Sequence, residues 1–159
     1  MNKREVDRLL PLAYDLIENG IEMDEFKDKK TGVIDAAYRG QISAYGAAIA
    51  NGSLLAATAF FSKEGDQSKV NRGLLMKAIN ELLEKGHLIS SGQKKDTLFD
   101  TIRGVYGSSM AQHNEIREKV LLCATALKLA FNLFDLDDGE KKTDDGKNGN
   151  EQSVQDGQE

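Results

Sequence analysis

The sequence predicts an all-α fold, a compact bundle of about six helices followed by an acidic C-terminal tail. Three observations point there. Apolar residues recur with helical spacing along nearly all of residues 3–136, and no segment of four or more residues alternates with a period of two. The chain has one proline and no tryptophan. Asn-Gly pairs stand at Asn19-Gly20 and Asn51-Gly52, where apolar periodicity stops.

The first helix is expected from Lys3 to Asn19. Val6, Leu9, Leu10, Ala13, Leu16 and Ile17 share one face, and Asn2 with Glu5 has capping-box spacing. Pro11 falls on the opposite face, so a kink or a late start is expected. Residues 20–33 read as a loop of mixed charge. The second helix is expected from Ile34 to Ala50, with Ile34, Tyr38, Ile42, Tyr45 and Ile49 as its stripe. Gly40 and Gly46 weaken it and offer room for another backbone.

Ser53 is placed to cap a third helix, Leu54 to Lys63, which has almost no polar face and so must be buried in the core or against a partner. The fourth spans about Lys69 to Lys85 and is stopped by Gly86. Val70, Leu74, Leu75, Ala78, Ile79, Leu82 and Leu83 face inward, while Lys69, Gly73, Lys77, Asn80 and Glu84 face outward. The fifth uses Leu98, Phe99, Ile102, Val105 and Tyr106. The sixth begins near Ser109, with Gln112 at capping-box spacing, and runs to about Leu136 as the central core helix. Lys128, Asn132 and Asp135 form its narrow polar edge, which also excludes a transmembrane reading.

The chain has 159 residues, enough for one domain with a real core. Its net charge is −5, and residues 137–159 alone hold eight acidic and three basic residues. Residues 1–136 are therefore neutral and form a single helical domain in this reading. The stretch 137–159 has one large aliphatic residue, Val154, and is expected to be disordered. A single cysteine excludes an internal disulfide framework. The N-terminus MNKREVDRLL has no apolar signal region, so a cytoplasmic protein without a membrane span is expected.

Catalytic chemistry is poorly provided for. His87 and His113 are far apart, and neither has metal-ligand spacing to Cys123 or to the other. Cys123 lies inside the most apolar helix and reads as a buried thiol. Asp135, Asp137 and Asp138 form a short acidic cluster that lacks further ligands. No phosphate-binding, dinucleotide, nucleophile-elbow or zinc-protease motif occurs. The expectation is a non-enzyme that needs no cofactor and no metal.

What remains is surface. Lys3, Arg4, Arg8, Arg39, Lys63, Lys69, Arg72, Lys77, Lys94, Lys95 and Arg103 are candidate basic positions. They form either a solvated exterior or a groove that follows a phosphate backbone. Gly73 between Lys69 and Lys77 offers close approach to a phosphate or a partner backbone.

One stretch carries a resemblance. Tyr38-Arg39, Ile49-Ala50-Asn51-Gly52, Thr58-Ala59-Phe60 and Lys63 follow in that order, and the long apolar run VLLCATALKLAFNLF comes later. In this the chain resembles the small helical subunit of the type III-B (Cmr-type) CRISPR effector complex. The resemblance covers residues 3–136 in layout and is sharpest over about thirty residues. Ala126-Leu127-Lys128 departs from the family, which often has a tryptophan before the lysine, and the acidic tail is extra.

The resemblance implies an architectural role in antiviral defence. Copies would stack head-to-tail as a minor filament beside the backbone subunits that hold CRISPR RNA. A basic face drawn from Arg4, Arg8, Arg39, Lys63, Lys69, Arg72 and Lys77 would contact target RNA along its backbone. Target cleavage and cyclic-oligonucleotide synthesis would belong to other subunits. A homo-oligomeric helical adaptor that binds only protein is the alternative.

Overall fold

The computed structural model describes residues 1–63 and 70–139. Six α-helices dominate: α1 (Lys3–Asn19), α2 (Ala37–Asn51), α3 (Leu54–Ser62), α4 (Arg72–Lys85), α5 (Leu98–Val105) and α6 (Met110–Phe131). A single 3₁₀ turn, Ser91–Gln93, precedes α5. Two short strands, β1 (Ile34–Asp35) and β2 (Leu136–Asp137), pair in parallel. The all-α expectation holds. The expected disorder of the tail falls almost wholly on residues 140–159, which lie outside the described residues.

The caps read from spacing form as expected. Asn2 accepts from the Arg4 amide, Ser53 from the Ala56 amide, and Ser109 with Gln112 makes a reciprocal capping box. Glu5 does not close a box on Asn2; its carboxylate pairs instead with Arg8 at 2.7 Å. The first helix neither starts late nor breaks at Pro11. Pro11 is exposed, so the carbonyl it leaves without a donor, that of Asp7, can be hydrated.

α6 runs through the middle, with α1, α2 and α4 packed around it. α3 lies against α2, α4 and α5. Leu9, Ile17, Ile42, Tyr45, Ile49, Leu75, Ile79, Leu82, Leu127 and Phe131 are among the fully buried side chains. Near Phe131 the rings of Phe26 and Tyr38 complete an aromatic cluster, with centroids 5.0–6.0 Å apart.

Several boundaries move. Ile34 does not begin the second helix. It sits in β1 opposite Leu136, and the Ala36 amide donates to the Asp137 carbonyl at 2.8 Å. Asp35 then caps the helix, accepting from the Ala37 amide at 2.8 Å. The last helix ends at Phe131, not at Leu136, because the chain turns to bring β2 beside β1. The described fold thus extends through Asp137 to Gly139, past the expected 136/137 boundary.

α4 begins at Arg72 with Asn71 as its cap. Asn80 faces inward, not outward: it is 3% exposed and donates to the Lys95 carbonyl at 2.8 Å. A methyl group added at Gly40 or Gly46 would meet nothing within 4 Å among the described residues, so none of the described backbone packs against it. Gly73 makes room for the capping oxygen of Asn71, which lies 3.1 Å from where a Cβ would stand.

Candidate nucleic-acid interface

The basic side chains separate into those already engaged and those left available. Arg8 is engaged twice: Nη1 donates to the Gly86 carbonyl at 2.6 Å, and Nη2 pairs with Glu5. Lys77 lies 2.8 Å from the Asp24 carboxylate, whose hydrogen bond raises its pKa. Lys94 is held by Glu81, and by Glu84 at 3.5 Å. Burial opposes its charge, yet these two carboxylates raise its pKa on balance. Arg103 pairs with Asp100 at 3.2 Å. Lys94, Lys95 and Arg103 line an open cleft of about 480 Å³ together with Asp96 and Asp100, so its charge is mixed.

Arg39 donates to the Asn132 amide oxygen at 3.1 Å and so ties α2 to the end of α6. It carries no carboxylate partner among the described residues. Arg4 is exposed in the first turn of α1. Lys69 lies outside the described residues. Of the seven expected positions, Arg8, Arg39 and Lys77 thus have side-chain partners within the fold.

Two others of the seven stand beside the Phe60–Phe61 pair, Lys63 in the chain and Arg72 in space. Lys63 is the C-cap of α3, and its side chain is exposed. Arg72 opens α4, with its guanidinium carbon 5.3 Å from the Phe60 ring centroid and 5.7 Å from that of Phe61. Neither side chain forms an ion pair among the described residues. Arg72 is held by two aromatic faces, and its Nε is buried without a hydrogen-bond partner.

α3 explains why the rings stand there. Its continuous apolar sequence cannot all face inward on a helix. Leu54, Ala57, Thr58 and Phe61 take the buried side, leaving Ala56, Ala59 and Phe60 exposed. Phe61 packs edge-on against Tyr45, with centroids 5.3 Å apart. Phe60 is 65% exposed. Of the expected burial in the core or against a partner, the core accounts for one face of α3.

The neighbouring end of the fold is also linked to this corner. Tyr38 and Asn71 line one groove, and burial raises the Tyr38 pKa. The groove is open, of about 360 Å³, and is lined by Glu25, Asp28 and Asp35 as well as Lys27 and Lys29. Its acids and bases nearly balance, so it offers no polyanion track.

Arg117 was not singled out by sequence. Its guanidinium donates to the Ile49 and Ala50 carbonyls at 3.3 and 3.2 Å, closing the end of α2. The partner carbonyls lie 68 and 67 residues away, so no local pattern marks this role. Cys123 is fully buried, and burial pushes its thiol pKa up. Among the described residues no group of three or more His, Cys, Asp or Glu side chains could hold a metal ion, and no helix is long and apolar enough to cross a membrane.

Comparison with protein-family models, with curated proteins and with solved structures finds no match in any of the three.

Proposed function

We propose that this chain is a non-catalytic structural small subunit of a type III-B CRISPR RNA-guided effector complex. Copies stack as a minor filament and help hold target RNA along its backbone in antiviral defence. Guide–target base pairing reads sequence in such an assembly, and the protein touches backbone and shape. Its partners are the other subunits, further copies of itself, the CRISPR RNA and the target RNA, in the cytoplasm.

The reading is carried by the helix–stop–helix unit that bears the resemblance. Tyr38-Arg39 opens α2, Asn51-Gly52 ends it, and α3 presents Lys63 at its exposed end, with Arg72 against its Phe60 ring. Two cations without carboxylate partners among the described residues are what a phosphate contact needs, since none of the described ion pairs must be broken first. Head-to-tail stacking is a heterologous contact, which yields open arrays when the rotation does not close a ring.

The exposed Phe60 face of α3 favours a second reading, a helical adaptor that oligomerises and binds protein only. One experiment separates the two. The tagged chain is recovered from its native host, the copurifying RNA is sequenced and the proteins are identified. Short RNAs with a constant 5′ end and variable spacers, beside larger effector subunits, are the expected result. Recovery of an oligomer without RNA, insensitive to salt, establishes the adaptor instead.

A further inference from the structure

We infer that Phe60, flanked by Arg72 and Lys63, is a base-stacking subsite for single-stranded RNA. The inference deepens the proposed function and rests on it, because it names the residue that would hold a base at the phosphate-contacting corner.

The argument begins with the state of the cations. Arg8, Lys27, Lys77, Lys94, Arg103 and Lys119 each face a carboxylate within 4.0 Å. A phosphate reaching any of these must compete with that carboxylate. Arg72 differs. Two rings hold its guanidinium in place without consuming its terminal N–H donors, and no acceptor among the described residues takes them. Ring stacking restricts the side chain in advance, so less freedom is lost when a phosphate binds. Lys63, at the end of the same helix as Phe60, supplies a second cation without a carboxylate partner among the described residues.

The ring comes next. Phe60 is 65% exposed although its neighbour Phe61 is buried. Phe61 lies 5.4 Å away and edge-on at 72°, which orients the Phe60 plane. Arg72 lies over one face of that ring, which leaves a base the remaining exposed surface. An oriented, exposed aromatic beside an arginine, with Lys63 three residues along the chain and neither cation paired with a carboxylate among the described residues, is an arrangement that binds a nucleotide without reading its identity: the base stacks and the phosphates meet the cations.

Area and charge argue against a folded protein partner at this spot. Exposed apolar surface here is one ring and the methyl groups of Ala56 and Ala59. A phenylalanine buries roughly 150–250 Å², whereas a stable interface needs about 800 Å² from each partner. A single nucleotide matches the patch in size, and its negative charge matches Arg72 and Lys63.

The test uses the full chain and short oligouridylate, single-stranded or annealed to its complement, at low salt. The sequence has no tryptophan, so Phe60→Trp gives a single emission signal at the site. Single-stranded RNA should quench that emission, and the duplex, whose bases are already stacked, should not. Phe60→Leu keeps the helix apolar and removes the aromatic face. It should weaken single-strand binding about tenfold with an unchanged salt slope, because no charge is lost. Arg72→Gln should lower the salt slope by about one. Far-ultraviolet circular dichroism confirms that each variant keeps its helices.

Equal binding by Phe60→Leu and wild type, with no quenching in Phe60→Trp, overturns the stacking subsite. If Arg72→Gln still weakens binding in that case, the phosphate-contact reading of the proposed function survives. Failure of the wild type to bind either RNA also overturns the subsite, while recovery of CRISPR RNA from the host decides the wider reading separately. A concentration-dependent dimer that Phe60→Leu dissolves shows that a second copy covers the ring, and overturns it too.

Discussion

The Arg8 guanidinium donates to the Gly86 carbonyl across 2.6 Å, joining the first helix to the cap of the fourth over 78 residues of sequence. This arginine belongs to the expected RNA face, and the contact also gives it a structural task. Gly86 is suited to the junction because an added Cβ would stand 2.4 Å from Leu9 Cδ2 and 2.7 Å from the Leu82 carbonyl oxygen. Replacing Arg8 with methionine keeps the stem and removes the donor. The expected loss is about 1–2 kcal/mol, or a melting temperature lower by roughly 3–8 °C. RNA binding should be unchanged, and anisotropy at fixed salt checks that alongside a thermal melt.

The buried hydrogen bond between α2 and α3 predicts an asymmetry. Thr58 Oγ1 donates to the Leu54 carbonyl at 2.7 Å, which leaves Tyr45 as donor to Thr58 Oγ1 at 2.7 Å. Both side chains are fully buried, and burial raises the Tyr45 pKa. Tyr45→Phe removes the donor and leaves the threonine bonded to Leu54, so it should cost about 1 kcal/mol. Thr58→Val strands the tyrosine hydroxyl in an apolar site, so it should cost more, about 1–3 kcal/mol. Urea unfolding of the two variants orders them; equal losses would show that the tyrosine finds another acceptor.

Acid stability depends on the 20–33 loop. The Asp28 carboxylate accepts from the Thr31 and Lys30 amides at 3.0 and 2.8 Å, and these bonds lower its pKa. Its folded pKa therefore lies below the unfolded value of about 3.9. The stabilisation is present above that unfolded value and is lost as pH falls through the folded one. Asp28→Ala should melt below the wild type at neutral pH, and the gap should close as pH falls through the lowered folded-state pKa. Melting curves of both proteins from neutral to acid pH test this; a gap that persists in acid assigns the effect to loop packing.

Much of the fold was legible because its signals are local. Asn2, Ser53 and Ser109 each lie within three residues of the amide they cap, and the apolar stripes repeat within one helix. The β pair was not legible, since two residues give no periodicity and Ile34 meets Leu136 from the far end of the domain. The fate of the cations was hidden for the same reason. Lys77 meets Asp24 at a separation of 53 residues, and nothing in the sequence distinguishes that lysine from Lys63. The exposure of Phe60 was not legible because apolar type alone does not say which side of a short helix faces out. The Phe60–Arg72 contact joins two helices across residues 64–69, and no spacing rule reaches that far.

The β1–β2 pair makes the last predicted effect, a test of where the folded domain ends. Chain termination after Gly139 keeps every contact described for β2. Termination after Phe134 removes the Asp137 carbonyl from the Ala36 amide and strips half-buried Leu136 from the core. It also opens Ile34, which is 1% exposed in the intact fold. Asp35 loses the strand that holds it over the first amide of α2, so the helix start should fray as well. The expected cost of the shorter chain is about 2–4 kcal/mol, combining apolar burial with one or two backbone hydrogen bonds. Paired thermal melts of the two truncations measure it. Hydrogen exchange at Ala37 and Tyr38 should rise in the shorter chain alone; equal exchange in both would mean that Asp35 caps α2 without help from β2.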